Sequence, residues 1–176
     1  LVAEKSVEVD RKDAKGRTPL SFAAEGAHED VVEALLMNET VNPDCRDNQG
    51  RTPLSRATGR RSGHIDMVEL LLSQPGIEPH KRDSQGWTPL AMAALKGHAA
   101  IVERLLTVEG ADPNSRDIRG WTPLRMVATA KYSSIGTVRA LLRAENINPD
   151  TPDLEERTPL SVACEYFKLE LVDLLL

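Results

Sequence analysis

The sequence predicts an all-α repeat solenoid, made of helix–loop–helix units joined by short β-hairpin-like turns. Three observations predict it. The triplet Thr-Pro-Leu occurs five times, starting at Thr18, Thr52, Thr88, Thr122 and Thr158, at spacings of 34, 36, 34 and 36 residues. A longer frame surrounds each triplet and is fullest in the third copy: Arg82-Asp83-Ser84-Gln85-Gly86-Trp87-Thr88-Pro89-Leu90, then Ala93-Ala94, Gly97-His98, Ile101-Val102 and Leu105-Leu106. Only 3% of the residues are aromatic, which fits many small helices packed through Ala, Leu and Val better than one large core.

Each element of the frame has a physical reason. Asp and Gly bracket the segments Asp13–Gly16, Asp47–Gly50, Asp83–Gly86 and Asp117–Gly120, the places at which a type I turn prefers those residues. Thr supplies an N-cap oxygen, and Pro follows at the first helical position, where its missing N–H costs nothing. Paired alanines let neighbouring helices approach closely. Gly-His in the second and third copies closes the first helix, because Gly readily adopts the left-handed conformation. Val and Leu-Leu at helical spacing then face inward on a second helix. One such unit cannot bury its apolar face alone, whereas stacked units can.

This frame resembles the ankyrin repeat, and the resemblance covers essentially the whole chain. Thr-Pro-Leu-Ser, present in three of the five copies, is similar to arrays of filamentous fungi. The resemblance implies a protein–protein interaction module with no catalytic residues, cofactor or metal. It implies a partner that is another protein. An alternative that it also implies is the sensor segment of a larger NACHT-type nucleotide-binding signalling protein. Two cysteines with no CxxC pairing point to a reducing, intracellular and cytoplasmic setting.

The units are drawn as 13–46, 47–82, 83–116, 117–152 and a shortened 153–176, with 1–12 as the remnant of a preceding repeat. Leu1-Val2 aligns with Leu35-Leu36, and the chain closes on Leu174-Leu175-Leu176 in the same register, so it reads as a fragment of a longer protein. The second and fourth units carry extra residues between their helices, in Gly59-Arg60-Arg61-Ser62 and near Thr129-Ala130-Lys131-Tyr132. In the fifth unit Glu156 replaces the turn glycine, and Phe167-Lys168 replaces Gly-His.

A net charge of −5 argues against generic nucleic-acid binding. No stretch is long and apolar enough for a membrane span. Cys45 and Cys164 lie several repeats apart, too far for a disulfide. There is no Gly-Lys dipeptide and hence no P-loop. His28, His64 and His98 share one repeat position, too widely spaced to hold one metal, and read as hydrogen-bonding groups on neighbouring loop backbone.

By the resemblance, turn tips and first helices form a concave groove that contacts the partner. The residue before each turn aspartate is Lys12, Arg46, Arg82, Arg116 and then Pro152. The residue after each turn glycine position is Arg17, Arg51, Trp87, Trp121 and then Arg157. Trp and Arg dominate interface hot spots, so Trp87, Trp121, Arg82, Arg116, Arg46, Arg51 and Arg125 are the candidate contact residues. Such a surface suits a segment with apolar anchors and acidic residues. Arg56 stands in an otherwise apolar series and is expected to snorkel outward.

Overall fold

A computed structural model describes residues 7–59, 63–130 and 134–176. Among these, ten helices follow one another in pairs: α1 (Pro19–Gly26) and α2 (Glu29–Leu36), α3 (Pro53–Thr58) and α4 (Ile65–Leu72), α5 (Pro89–Lys96) and α6 (Ala99–Leu106), α7 (Pro123–Thr129) and α8 (Ile135–Leu142), α9 (Pro159–Glu165) and α10 (Leu169–Leu175). Each first helix starts as expected. The Oγ1 atoms of Thr18, Thr52, Thr88, Thr122 and Thr158 accept from the N–H three residues on, and Pro occupies the first helical position.

First helices stack on first helices along the array, and second helices on second helices. Leu20, Leu54, Leu90 and Leu124 of the first row are buried, as are Val32, Val68, Val102 and Val138 of the second. Ala23-Ala24, Ala93-Ala94, Ala128 and Ala163 fill the narrow space between neighbouring first helices. The core is therefore a continuous seam shared by successive pairs, each completing its neighbour's burial.

The units differ most where their two helices join. Between α1 and α2, and between α5 and α6, the link is as short as Ala27-His28 and Gly97-His98, whereas α3 ends at Thr58 and α4 begins only at Ile65. Arg60-Arg61 and Lys131-Tyr132, expected in these longer links, lie outside the described residues. Gly97 takes the left-handed conformation (φ 80°), but the same role falls to Ala27 (φ 54°) and Phe167 (φ 54°) in the first and last units. His28, His64 and His98 sit at the N-cap of α2, α4 and α6 without a side-chain capping bond, so the expected backbone-bonding role is not a helix cap. Ser134, the N-cap of α8, does cap: its Oγ accepts from Thr137 N–H.

Glu156 is held at φ 61°, where the other tips place Gly16, Gly50, Gly86 and Gly120. A Cβ in that region costs about 1–2 kcal/mol, partly offset by the greater unfolded-state freedom of glycine. Glu156→Gly should therefore stabilise the chain by about 0.5–1 kcal/mol, read as a higher urea midpoint; an unchanged or lower midpoint would contradict this account of the tip.

Candidate functional site

One side-chain device builds every tip. Asp13 Oδ1 accepts from the N–H of Lys15 at 2.9 Å and of Arg17 at 2.8 Å. Asp47, Asp83, Asp117 and Asp153 bind the N–H groups two and four residues on in the same way. A short carboxylate closing on its own backbone gives a rigid turn without a long hairpin. Main-chain bonds then join tip to tip: Asn48 N–H to Lys15 O (3.0 Å), Ser84 to Gln49 (2.9 Å), Ile118 to Gln85 (3.1 Å) and Leu154 to Arg119 (3.1 Å).

The basic row serves the same purpose. Lys12 Nζ donates to Arg46 O at 2.9 Å, Arg46 Nη2 to Arg82 O at 2.6 Å, Arg82 Nη1 to Arg116 O at 2.6 Å, and Arg116 Nη2 to Pro152 O at 2.9 Å. Arg46 and Arg82 also bind the Gly50 and Gly86 carbonyls of their own tips. These side chains are exposed and keep their charge at the surface, but they stitch consecutive repeats together.

Two arginines differ from expectation. Arg125 adds no free charge to the surface: its side chain is 1% exposed and its Nη2 donates to Asp153 Oδ2 at 3.0 Å in the next repeat, with Nε at 3.2 Å. Arg56 does not snorkel outward; its Nη2 bonds Asp47 Oδ2 and its Nη1 bonds Glu25 Oε2 at 2.7 Å, leaving it 5% exposed. Both are buried because an acid from another repeat or tip neutralises them in place. Arg51 remains part-exposed, with Nε 3.2 Å from Asp47 Oδ2.

Both tryptophans are half-buried on the first-helix side of the tips. Trp87 Nε1 donates to Asp117 Oδ2 at 3.0 Å, linking the third and fourth repeats. The Trp121 ring carries the guanidinium of Arg119 at 3.6 Å and that of Arg125 at 4.4 Å from its centre. Between tips and first helices lies a cavity of about 190 Å³, bordered by Arg51, Arg56, Asp83, Trp87, Met92 and Lys96 among others. It brings Trp87 and Arg51 of the expected site together. Trp121 lies one repeat further along, and Arg46, Arg82 and Arg116 do not border the cavity but bond from tip to tip. Asp83 and Lys96 were not anticipated; as members of the constant turn and of a helix end, neither stood out in the sequence.

Burial pushes the Asp47 and Asp153 carboxyls up. The N–H groups of Arg51 and Gln49, or Arg157 and Glu155, together with the Arg56 or Arg125 guanidinium, outweigh that push, and each titrates below the ordinary range. A carboxyl lowered in the fold contributes stability above its unfolded pKa of about 4, and the contribution is lost as pH falls through the lower folded value. Asp44 is raised by burial despite Lys81 and contributes with the opposite sign, softening the loss. Thermal melts should thus be level from neutral pH to about pH 5 and drop below about pH 4. A melting temperature that rises on acidification would contradict the assignment.

Cys45 and Cys164 are free. Among the described residues no cluster of His, Cys, Asp and Glu is placed to hold a metal, and no helix is long and apolar enough to cross a membrane. No curated protein matches the chain. The family model for ankyrin repeats (3 copies) matches residues 1–83 and 90–176. With its capped helix pairs stacked in register and its aspartate-closed tips, the chain belongs to the ankyrin repeat family, whose members are generally protein–protein interaction modules.

Proposed function

We propose that the chain is a non-catalytic module that binds another protein in the concave groove between turn tips and first helices. The cavity beside Trp87 carries this reading: it is a recess with a half-buried aromatic wall, on a face whose tips are fixed by successive hydrogen bonds. A surface held in one geometry loses little entropy on binding, and a recessed tryptophan is the kind of group that dominates interface energy. In this reading Trp87, Trp121 and Arg51 touch the partner. Arg46, Arg82 and Arg116 fix the spacing of the tips and supply positive potential. Arg125 acts from below, holding Trp121.

The test is comparative capture. A partner retained by the chain should be lost by the Trp87→Ala/Trp121→Ala variant and kept by Glu33→Lys and Glu103→Lys, which alter exposed positions on second helices. Loss with the second-helix variants and retention with the tryptophan variant would move the site to the opposite face.

A further inference from the structure

We propose that Asp83 and Trp87 together receive an arginine side chain of the partner protein, an inference that rests on the groove reading above. The fourth repeat supplies the template. There Arg119 places its Nη2 3.2 Å from Asp117 Oδ2 and its guanidinium 3.6 Å from the centre of the Trp121 ring. Arg125 covers the same ring at 4.4 Å. The third repeat presents the same acid and the same indole, Asp83 and Trp87, but has Gln85 where Arg119 stands and Ala91 where Arg125 stands.

The result is a frame for a guanidinium that the chain does not fill. Asp13 pairs with Arg17, Asp47 with Arg51 and Arg56, Asp117 with Arg119, and Asp153 with Arg125 and Arg157. Asp83 alone of the five turn aspartates has no cation within ion-pair distance among the described residues, and its Oδ2 accepts no hydrogen bond there. No guanidinium lies over the Trp87 ring among those residues either. Both groups border the same cavity. Its other charges are mostly committed: Arg51 to Asp47, and Arg56 to Asp47 and Glu25. Lys96 is exposed at the end of α5, whereas Asp83 is half-buried. A carboxylate partly shielded from water gains more from a cation than a surface one does. Arginine suits the pair better than lysine, because a planar guanidinium stacks on an indole while its edge donates to a carboxylate. Arg46, Arg82 and Arg116 each reach a backbone carbonyl of the next repeat, and none of them borders this cavity. At the cavity the turn carboxylate without a cation among the described residues is Asp83, so a basic anchor fits it better than an acidic one.

The test uses random-sequence peptides displayed on phage and panned against the whole chain. Peptides that depend on the tryptophans should share an arginine at one position. Changing that arginine to alanine should weaken binding to the chain by about tenfold, and to the Asp83→Asn variant by less, about two- to fivefold, since only the stacking on Trp87 is left to lose. Asparagine keeps an Oδ1 acceptor for the Gln85 and Trp87 N–H groups, so the tip still closes. Gln85→Arg, which supplies the missing guanidinium in cis at an exposed position, should also weaken the same peptide by about tenfold while its thermal melt matches the parent's. Enrichment of acidic or apolar residues without arginine, equal losses in both backgrounds, or no enrichment at all would overturn the inference. Arginine-free peptides that still require Trp87 and Trp121 would leave the groove reading standing. Peptides bound equally well by the double tryptophan variant would overturn both.

Discussion

Asp153→Ala is expected to destabilise the chain by about 3–5 kcal/mol, the range found when one partner of a buried ion pair is removed. Asp153 and Arg125 each have side chains only 1% exposed, so the guanidinium left behind has neither water nor another acid to neutralise it. The same carboxylate also closes the tip on the N–H groups of Glu155 and Arg157. Asp153→Asn, which retains those two bonds, should cost less than Asp153→Ala. Arg125→Met with Asp153→Asn removes both charges and should recover part of the loss. In a chain of this size the single alanine change corresponds to a fall of about 10 °C in melting temperature. Arg104–Glu69, with side chains 34% and 47% exposed, is the control: Arg104→Met should cost under about 1 kcal/mol. Equal effects at the two pairs would mean that the Arg125 site is wetter than its packing indicates.

Trp87→Ala combined with Trp121→Ala is expected to weaken partner binding at least thirtyfold, about 2 kcal/mol or more, the loss typical of a central interface tryptophan. The structure adds a stability cost. Trp87 Nε1 donates to Asp117, and two guanidinium groups, those of Arg119 and Arg125, pack on the Trp121 ring. Affinity must therefore be measured well below the variant's own melting transition. Trp87→Phe separates the two roles, since it keeps an aromatic wall for the cavity and gives up the bond to Asp117. If Trp87→Phe binds almost normally but melts lower, the ring contacts the partner and the indole N–H serves the fold. Unchanged affinity in the double alanine variant, with a large loss of stability, would assign both tryptophans to packing.

The helix pairs were legible because their signals are local. A threonine cap, a proline at the first helical position and an aspartate closing on its own backbone are all decided within a few residues, and each recurs in register. The basic row was legible as a row, but not for what it does, because its acceptors are main-chain carbonyls of the next repeat and carry no residue signature. Arg125 and Arg56 were misread for a related reason. An arginine on a first helix reads as surface charge until its acid is known, and Asp153 lies 28 residues away and Glu25 31 residues away. One signal was present: Arg125 stands where the other repeats place Ser21, Ser55, Ala91 and Ser161. A large charged residue at a position of small ones, four residues after a tryptophan, points to a specific partner. The left-handed backbone at Ala27, Glu156 and Phe167 shows the converse, stacking that holds a local conformation the residue itself disfavours.

Hydrogen exchange of the chain, alone and saturated with its partner or with a selected peptide, tests the central claim most directly. Binding in the groove predicts slowed exchange in the tip and first-helix segments around Trp87–Met92 and Trp121–Met126, with the exposed faces of α2, α4, α6 and α8 unchanged. Protection confined to those second helices, with the tips exchanging as in the free chain, would contradict it.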